Sequence, residues 1–127
     1  LEFASFLESR FDDVVSYAKN TMGEGGINFK IEYQAQDGNI REYYPDFFVK
    51  TNDKTFYIVE TKGREDLDDI RKIQRLFVWC KDINTAQKDY TYSPVYIKQE
   101  KWDDIKNDFK SFAEVVKIFT VTENKES

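Results

Sequence analysis

Apolar residues recur through the first part of the chain at Phe3, Phe6, Leu7, Phe11, Val14, Val15 and Ala18. This is the spacing of an amphipathic helix and predicts one helix over residues 1–19. Gly23, Gly25 and Gly26 close it. The period then changes. Ile27, Phe29, Ile31, Tyr33 and Ala35 alternate with polar residues, as in a half-buried strand, and Asp37-Gly38 signals a hairpin turn. A second strand is expected in REYYPDFFVK (41–50), a turn at Thr51-Asn52-Asp53-Lys54 and a third strand in TFYIVETK (55–62). Leu67, Ile70, Ile73, Phe77 and Cys80 predict a helix over 66–82 with Asp66 as its N-cap. After a polar loop at 84–91, SPVYIK (93–98) reads as a strand. Trp102, Ile105, Phe109 and Phe112 form the stripe of a helix over 100–112, and VVKIFTV (115–121) reads as a further short strand.

The expected order is helix, three-stranded antiparallel meander, helix, strand, helix: one mixed α/β domain over 1–121, with 122–127 a disordered tail. The crossover from the third strand through the helix to the fourth is expected to be right-handed.

Composition narrows the chemistry. A length of 127 residues suits one domain, and 11 Phe and 8 Tyr supply bulk for a small core. No apolar run approaches the ~20 residues that span a bilayer, and a cytoplasmic location is expected. The one cysteine, Cys80, excludes an internal disulfide. The absence of histidine removes histidine triads and most catalytic zinc sites. Net charge is −5, the wrong sign for a free-standing nucleic-acid binder.

Against that background, Tyr44-Pro45-Asp46 on the second strand and Glu60-Thr61-Lys62 on the third stand out. Strand alternation puts Phe56, Ile58, Glu60 and Lys62 on one face, so two charged residues continue an apolar face. An odd-length turn such as Asn52-Asp53-Lys54 sets Asp46 opposite Glu60, with Cβ atoms ~5 Å apart. An even turn puts them on opposite faces, and no site exists. Facing carboxylates repel unless a cation lies between them. Lys62 supplies one positive charge, and two carboxylates without histidine suit a hard ion such as Mg²⁺. The chemistry to which these residues point is metal-assisted phosphodiester hydrolysis. The plainer reading is a surface Asp and a cross-strand ion pair.

Pro-Asp followed by Glu-x-Lys on adjacent strands resembles the PD-(D/E)xK nuclease superfamily. The chain more closely resembles the C-terminal endonuclease domain of type III restriction enzymes (the Res subunit) and related helicase–nuclease proteins. The matching stretches are Lys19-Asn20, INFKIEY (27–33), YYPDFFVK (43–50), Glu60-Thr61-Lys62-Gly63, Lys72, Trp79-Cys80 and Asn84, across most of residues 1–100. The resemblance implies a restriction-endonuclease-like core and a deoxyribonuclease that uses Mg²⁺, with Mn²⁺ able to substitute. Asp46 and Glu60 would be metal ligands, Thr61 a ligand through its backbone carbonyl, and Lys62 the catalytic lysine. Lys72 is a candidate DNA contact or accessory residue, and Gln74 a weaker one. The superfamily often adds an acidic residue from the first helix, for which Glu2 and Glu8 are the candidates. Implied partners are double-stranded DNA, a helicase or ATPase translocase region and a modification subunit. No Gly-x-x-x-x-Gly-Lys-Ser/Thr loop occurs, so this domain itself is expected to bind no nucleotide. A start inside a predicted helix suggests excision from a larger protein.

Arg64, Arg71 and Arg75 are basic residues that either meet the DNA backbone or form a solvated face paired to Glu65, Asp68 and Asp69; the second is the expectation for each. Tyr43 and Tyr44 either stack on a base or serve as ordinary strand residues. Trp79 and Cys80 are expected in the core. Two other functions compete with a helicase-linked nuclease: a catalytically silent docking or DNA-associated domain, and a DNA-repair or transposase nuclease of the same superfamily.

Overall fold

A computed structural model describes residues 3–51 and 54–122. Two expected segments lie partly outside them: Asn52-Asp53 of the turn and all but the first residue of the tail. Among the described residues the order is α1 (Phe3–Ser9), β1 (Val14–Lys19), β2 (Ile31–Gln34), β3 (Ile40–Tyr43), β4 (Phe47–Thr51), β5 (Thr55–Lys62), α2 (Asp69–Ala86), β6 (Thr91–Lys98), α3 (Gln99–Ile105), a 3₁₀ turn (Lys106–Asp108) and α4 (Phe112–Phe119). A four-stranded sheet runs β1-β4-β5-β6, with β5 and β6 parallel and the other pairs antiparallel. The β2-β3 hairpin forms a separate two-stranded sheet. This mixed α+β architecture is that of a restriction-endonuclease-like core.

Four elements differ from the sequence expectation; one is the helix expected over 100–112, which ends at Ile105 and is followed by a 3₁₀ turn over 106–108, with Phe112 starting the next helix. The first helix stops at Ser9, and Val14–Lys19 is a strand. The apolar positions 14, 15 and 18 fit either period, and the β-branched pair Val14-Val15 favours the extended form once β4 is there to pair with. The intervening Asp13 accepts the Phe112 and Ala113 N–H groups at 2.8 and 2.9 Å, so it holds the start of α4. The meander is therefore β1-β4-β5, not the strands expected at 27–35, 41–50 and 55–62. The expected second strand splits in two around Tyr44-Pro45. Proline lacks the ladder N–H and disfavours helical continuation before it, so β3 turns to β2 while β4 joins the main sheet. Finally, residues 115–121 are mostly helix. Ser111 Oγ accepts the Glu114 N–H, and Glu114 Oε1 accepts the Lys110 N–H at 2.6 Å. That Ser-x-x-Glu cap starts α4. Only Thr120 bridges to Val95 in strand fashion.

The sheet separates two apolar layers. Phe47, Val49, Val59, Val95 and Ile97 face α1, α3 and α4, where Phe3, Phe6, Phe109 and Phe112 surround Trp102. Ile58 and Phe48 face the other way, toward Leu76 and Cys80 of α2 and toward Ile31, Tyr33 and Tyr43 of the hairpin. Trp102 is 0% exposed and lies 5.6 and 5.1 Å from the Phe3 and Phe6 ring centres. Because it joins both end segments to the sheet, Trp102→Ala should lower unfolding free energy by about 3–5 kcal/mol in urea titration. A loss under about 1 kcal/mol would mean that this layer is not the main core.

Candidate active site

The β4–β5 register sets the site. Phe47 pairs with Val59 and Phe48 with Ile58, so one further step brings Asp46 across from Glu60. This is the outcome that an odd turn gives. Asp46 sits at the bend entering β4, and its N–H donates to the Val59 carbonyl at 3.0 Å. Its Oδ2 accepts two bonds from one residue: the Thr61 N–H at 3.0 Å and the Thr61 hydroxyl at 2.6 Å.

Glu60 continues the Ile58 face. Its Oε1 is buried and has no hydrogen-bond partner among the described residues. Burial, and next the negative charge of Asp46, push its pKa from 4.5 up to about 8, against the opposing pull of Lys62 and Lys72. A second unpartnered oxygen lies near it. The Tyr43 hydroxyl is buried, and burial followed by the charges of Glu60 and Asp46 raises its pKa well above the ordinary value. Tyr43 is thus not the exposed stacking ring considered from sequence. Tyr44 is exposed, but its hydroxyl donates to Glu42 at 2.8 Å.

Lys62 and Lys72 converge on one carboxylate. Lys62 Nζ lies 3.4 Å and Lys72 Nζ 3.7 Å from Asp69 Oδ1, and Lys72 also lies over the Tyr33 ring. Asp69 was expected on a solvated face. It is instead 2% exposed at the first turn of α2, where its Oδ2 accepts the Asp66 N–H at 2.6 Å. The helix therefore begins at Asp69, with Asp68 at the cap position rather than Asp66.

Asn20 holds the opposite flank. Its backbone N–H donates to the Asp46 carbonyl at 2.7 Å, and its amide nitrogen donates to the Pro45 and Phe29 carbonyls, both at 2.8 Å. Its side-chain oxygen accepts the Phe29 N–H at 3.0 Å. One buried amide thus ties the end of β1, the approach to β2 and the Pro45-Asp46 segment together.

Other candidates fall elsewhere. Glu8 lies on α1, which packs on the sheet face opposite Glu60, and accepts the Tyr17 hydroxyl at 2.6 Å. It is not brought to the site. Glu2 is outside the described residues. Gln74 is exposed. Arg71 and Arg75 donate to the Gln34 and Glu32 carbonyls at 3.3 and 3.1 Å, so they bind α2 to the hairpin rather than pairing with helix acids. Arg64 is exposed, while Glu65 pairs with Lys98 at 3.6 Å. Cys80 is buried, and burial pushes its thiol up to about 12, which leaves it without nucleophilic character at neutral pH. Among the described residues, no group of three or more His, Cys, Asp or Glu side chains is arranged to hold a metal ion.

A family model for the TnsA-like endonuclease N-terminal domain matches residues 12–114, most of the chain and all of the elements that carry the site. The chain belongs to that family. TnsA-like endonucleases are part of the PD-(D/E)xK nuclease superfamily, which agrees with Pro45-Asp46 at the entry to β4 and Glu60-Thr61-Lys62 on β5. No curated protein and no solved structure matches the chain. In this TnsA-like domain no helix among the described residues is long and apolar enough to cross a membrane.

The Glu60 environment has a pH signature. The folded chain holds a proton up to about pH 8 that the unfolded chain releases near 4.5. The associated stability is therefore complete below about pH 4.5 and is lost as pH rises through about 8. Glu60→Gln should remove that loss and stabilise the metal-free protein at pH 8.5 by about 2–4 kcal/mol. Urea melts in chelator at pH 5 and 8.5 check it. An equal gap between variant and wild type at both pH values would rule out a strained buried acid.

Proposed function

We propose that this chain is a metal-dependent endonuclease domain that hydrolyses double-stranded DNA, with Asp46, Glu60, Thr61 and Lys62 as its cutting site. The observation that carries the reading is the β4–β5 register, which gathers an acidic pair and a lysine at the end of one strand pair inside a TnsA-like endonuclease domain. The donor set fits a hard divalent ion. Mg²⁺ commonly takes only one or two protein carboxylates, the rest of its shell being water and phosphate, so a cluster of three acids is not required. Among the described residues Glu60 Oε1 is buried without a partner beside a second carboxylate, an arrangement that a cation relieves. Thr61 presents its N–H to Asp46, and the carbonyl of a strand residue points to the same side as its N–H, so that carbonyl shares the edge.

Asp46, Glu60 and the Thr61 carbonyl would hold the ion, which when bound supplies an activated water and charge neutralisation at the phosphate. Lys62 would neutralise developing phosphate charge or orient the attacking water. The Thr61 bonds keep Asp46 Oδ2 in place. Lys72 adds a second positive charge next to Glu60. Tyr43, Phe29 and Trp79 keep that face apolar beneath the charges.

The family match favours an endonuclease acting in DNA transposition. A type III restriction or other helicase-linked role is the second reading, and the YYPDFFVK and Glu60-Thr61-Lys62-Gly63 stretches support it. The two differ in partner. In the restriction reading the partners are a translocase and a modification subunit, as the resemblance implies.

Incubated with supercoiled plasmid and Mg²⁺ or Mn²⁺, the protein in the presence of its partners should nick or linearise DNA. Asp46→Asn, Glu60→Gln and Lys62→Ala should each slow this by about 100-fold or more. Mn²⁺ should raise the melting temperature of wild type but not of Glu60→Ala. Cleavage that survives Asp46→Asn and Lys62→Ala, with no metal-dependent shift, would instead favour a silent docking domain.

A further inference from the structure

We infer that Asp69 is a positioning residue for Lys62, holding its ammonium group, together with that of Lys72, beside the acidic pair before DNA arrives. The inference rests on the reading of Lys62 as a catalytic residue. Lysine has a long flexible stem and a compact charge, so an unrestrained ammonium is spread over many rotamers. Here a fixed partner restrains it. Asp69 is 2% exposed, and its Oδ2 is tied to the Asp66 N–H at 2.6 Å, so the carboxylate cannot turn freely. Its Oδ1 then lies 3.4 Å from Lys62 Nζ and 3.7 Å from Lys72 Nζ. The two lysine side chains are only 26% and 21% exposed, so this is not a solvent-screened surface pair.

The placement follows from topology. Lys62 ends β5, the connection 63–68 is short, and α2 begins at Asp69. The carboxylate at the helix start thus returns to the strand end that it has just left. Lys72, one turn further along α2, falls on the same side as Asp69. A rigid acid shared by two lysines leaves their net charge positive toward an incoming phosphate and fixes where that charge stands.

Asp69→Asn tests this, because the amide oxygen still accepts the Asp66 N–H while the charge is gone. In DNA-free protein, acetic anhydride labelling read by peptide mass should rise several-fold at Lys62 and Lys72 and stay constant at exposed Lys110. In plasmid cleavage, kcat should fall by about tenfold or more while KM for DNA stays level or drops, since two released lysines bind phosphate at least as well. Asp69→Glu, which keeps the charge, should keep Lys62 protected and retain most of the rate. A role confined to capping α2 would be hurt at least as much by Glu as by Asn, with kcat and thermal stability falling together. Unchanged labelling at Lys62, or kcat within about twofold of wild type in Asp69→Asn, overturns the inference. A wild-type protein that cuts no DNA counts against the nuclease reading instead, and the labelling result alone then decides whether Asp69 holds Lys62.

Discussion

The antiparallel pairing of β4 with β5 in a single register is the constraint on which both the core and the site depend. Side chains alternate along a strand, so a slip of one residue would turn either Val49 or Val59 away from the aromatic layer and carry Asp46 off the Glu60 face. The apolar residues guard against that slip. Val49, Ile58 and Val59 are all fully buried, two on one side of the sheet and one on the other, so any other register buries charge and exposes core. The electrostatic cost of facing Asp46 toward Glu60 is thus imposed by packing that charge repulsion alone would not have chosen.

That cost is localised and partly answered. Glu60 has negative neighbours in Asp46 and Asp69, with Lys62 and Lys72 opposing them. Thr61 stabilises Asp46 through two hydrogen bonds, whereas buried Glu60 Oε1 receives none among the described residues. The asymmetry assigns different behaviour to the two acids. One is held in place by hydrogen bonds, and the other is an acid whose raised pKa makes its protonation sensitive to whatever enters the site. Stability given up there is supplied elsewhere, chiefly by the rings around Trp102 on the far side of the sheet.

The sequence carried the central pair well because its signal was local and its register test was simple. Charged residues continuing the Phe56–Ile58 face, and an odd spacing across the turn, were enough to bring Asp46 to Glu60. The first strand is not legible locally because Val14, Val15 and Ala18 suit both periods, and only the long-range pairing with β4 decides between them. The split at Pro45 was visible in principle, since a proline inside a long strand signals a break. Ser111-x-x-Glu114 likewise marked the helix that was read as a strand. Asp69 is different in kind. On a helical wheel it is one acid among Glu65, Asp66 and Asp68, and nothing local says that it folds under Lys62. Asn20 is similar, since its value lies in three backbone segments that meet only in the fold.

The charges around the site bear on how such a domain would meet DNA. Affinity for the duplex comes mainly from cations that displace counterions along the phosphate backbone. Several of the cations near this site are already engaged. Arg71 and Arg75 bind hairpin carbonyls, Lys98 pairs with Glu65, and Lys62 and Lys72 share Asp69. The net charge of −5 adds long-range repulsion rather than steering. A site arranged this way has lysines enough to act on one phosphate but little surface with which to hold many. If Asp46, Glu60 and Lys62 cut DNA as proposed, chemistry and grip are separable, and a partner that supplies the basic surface would decide where they cut without touching them.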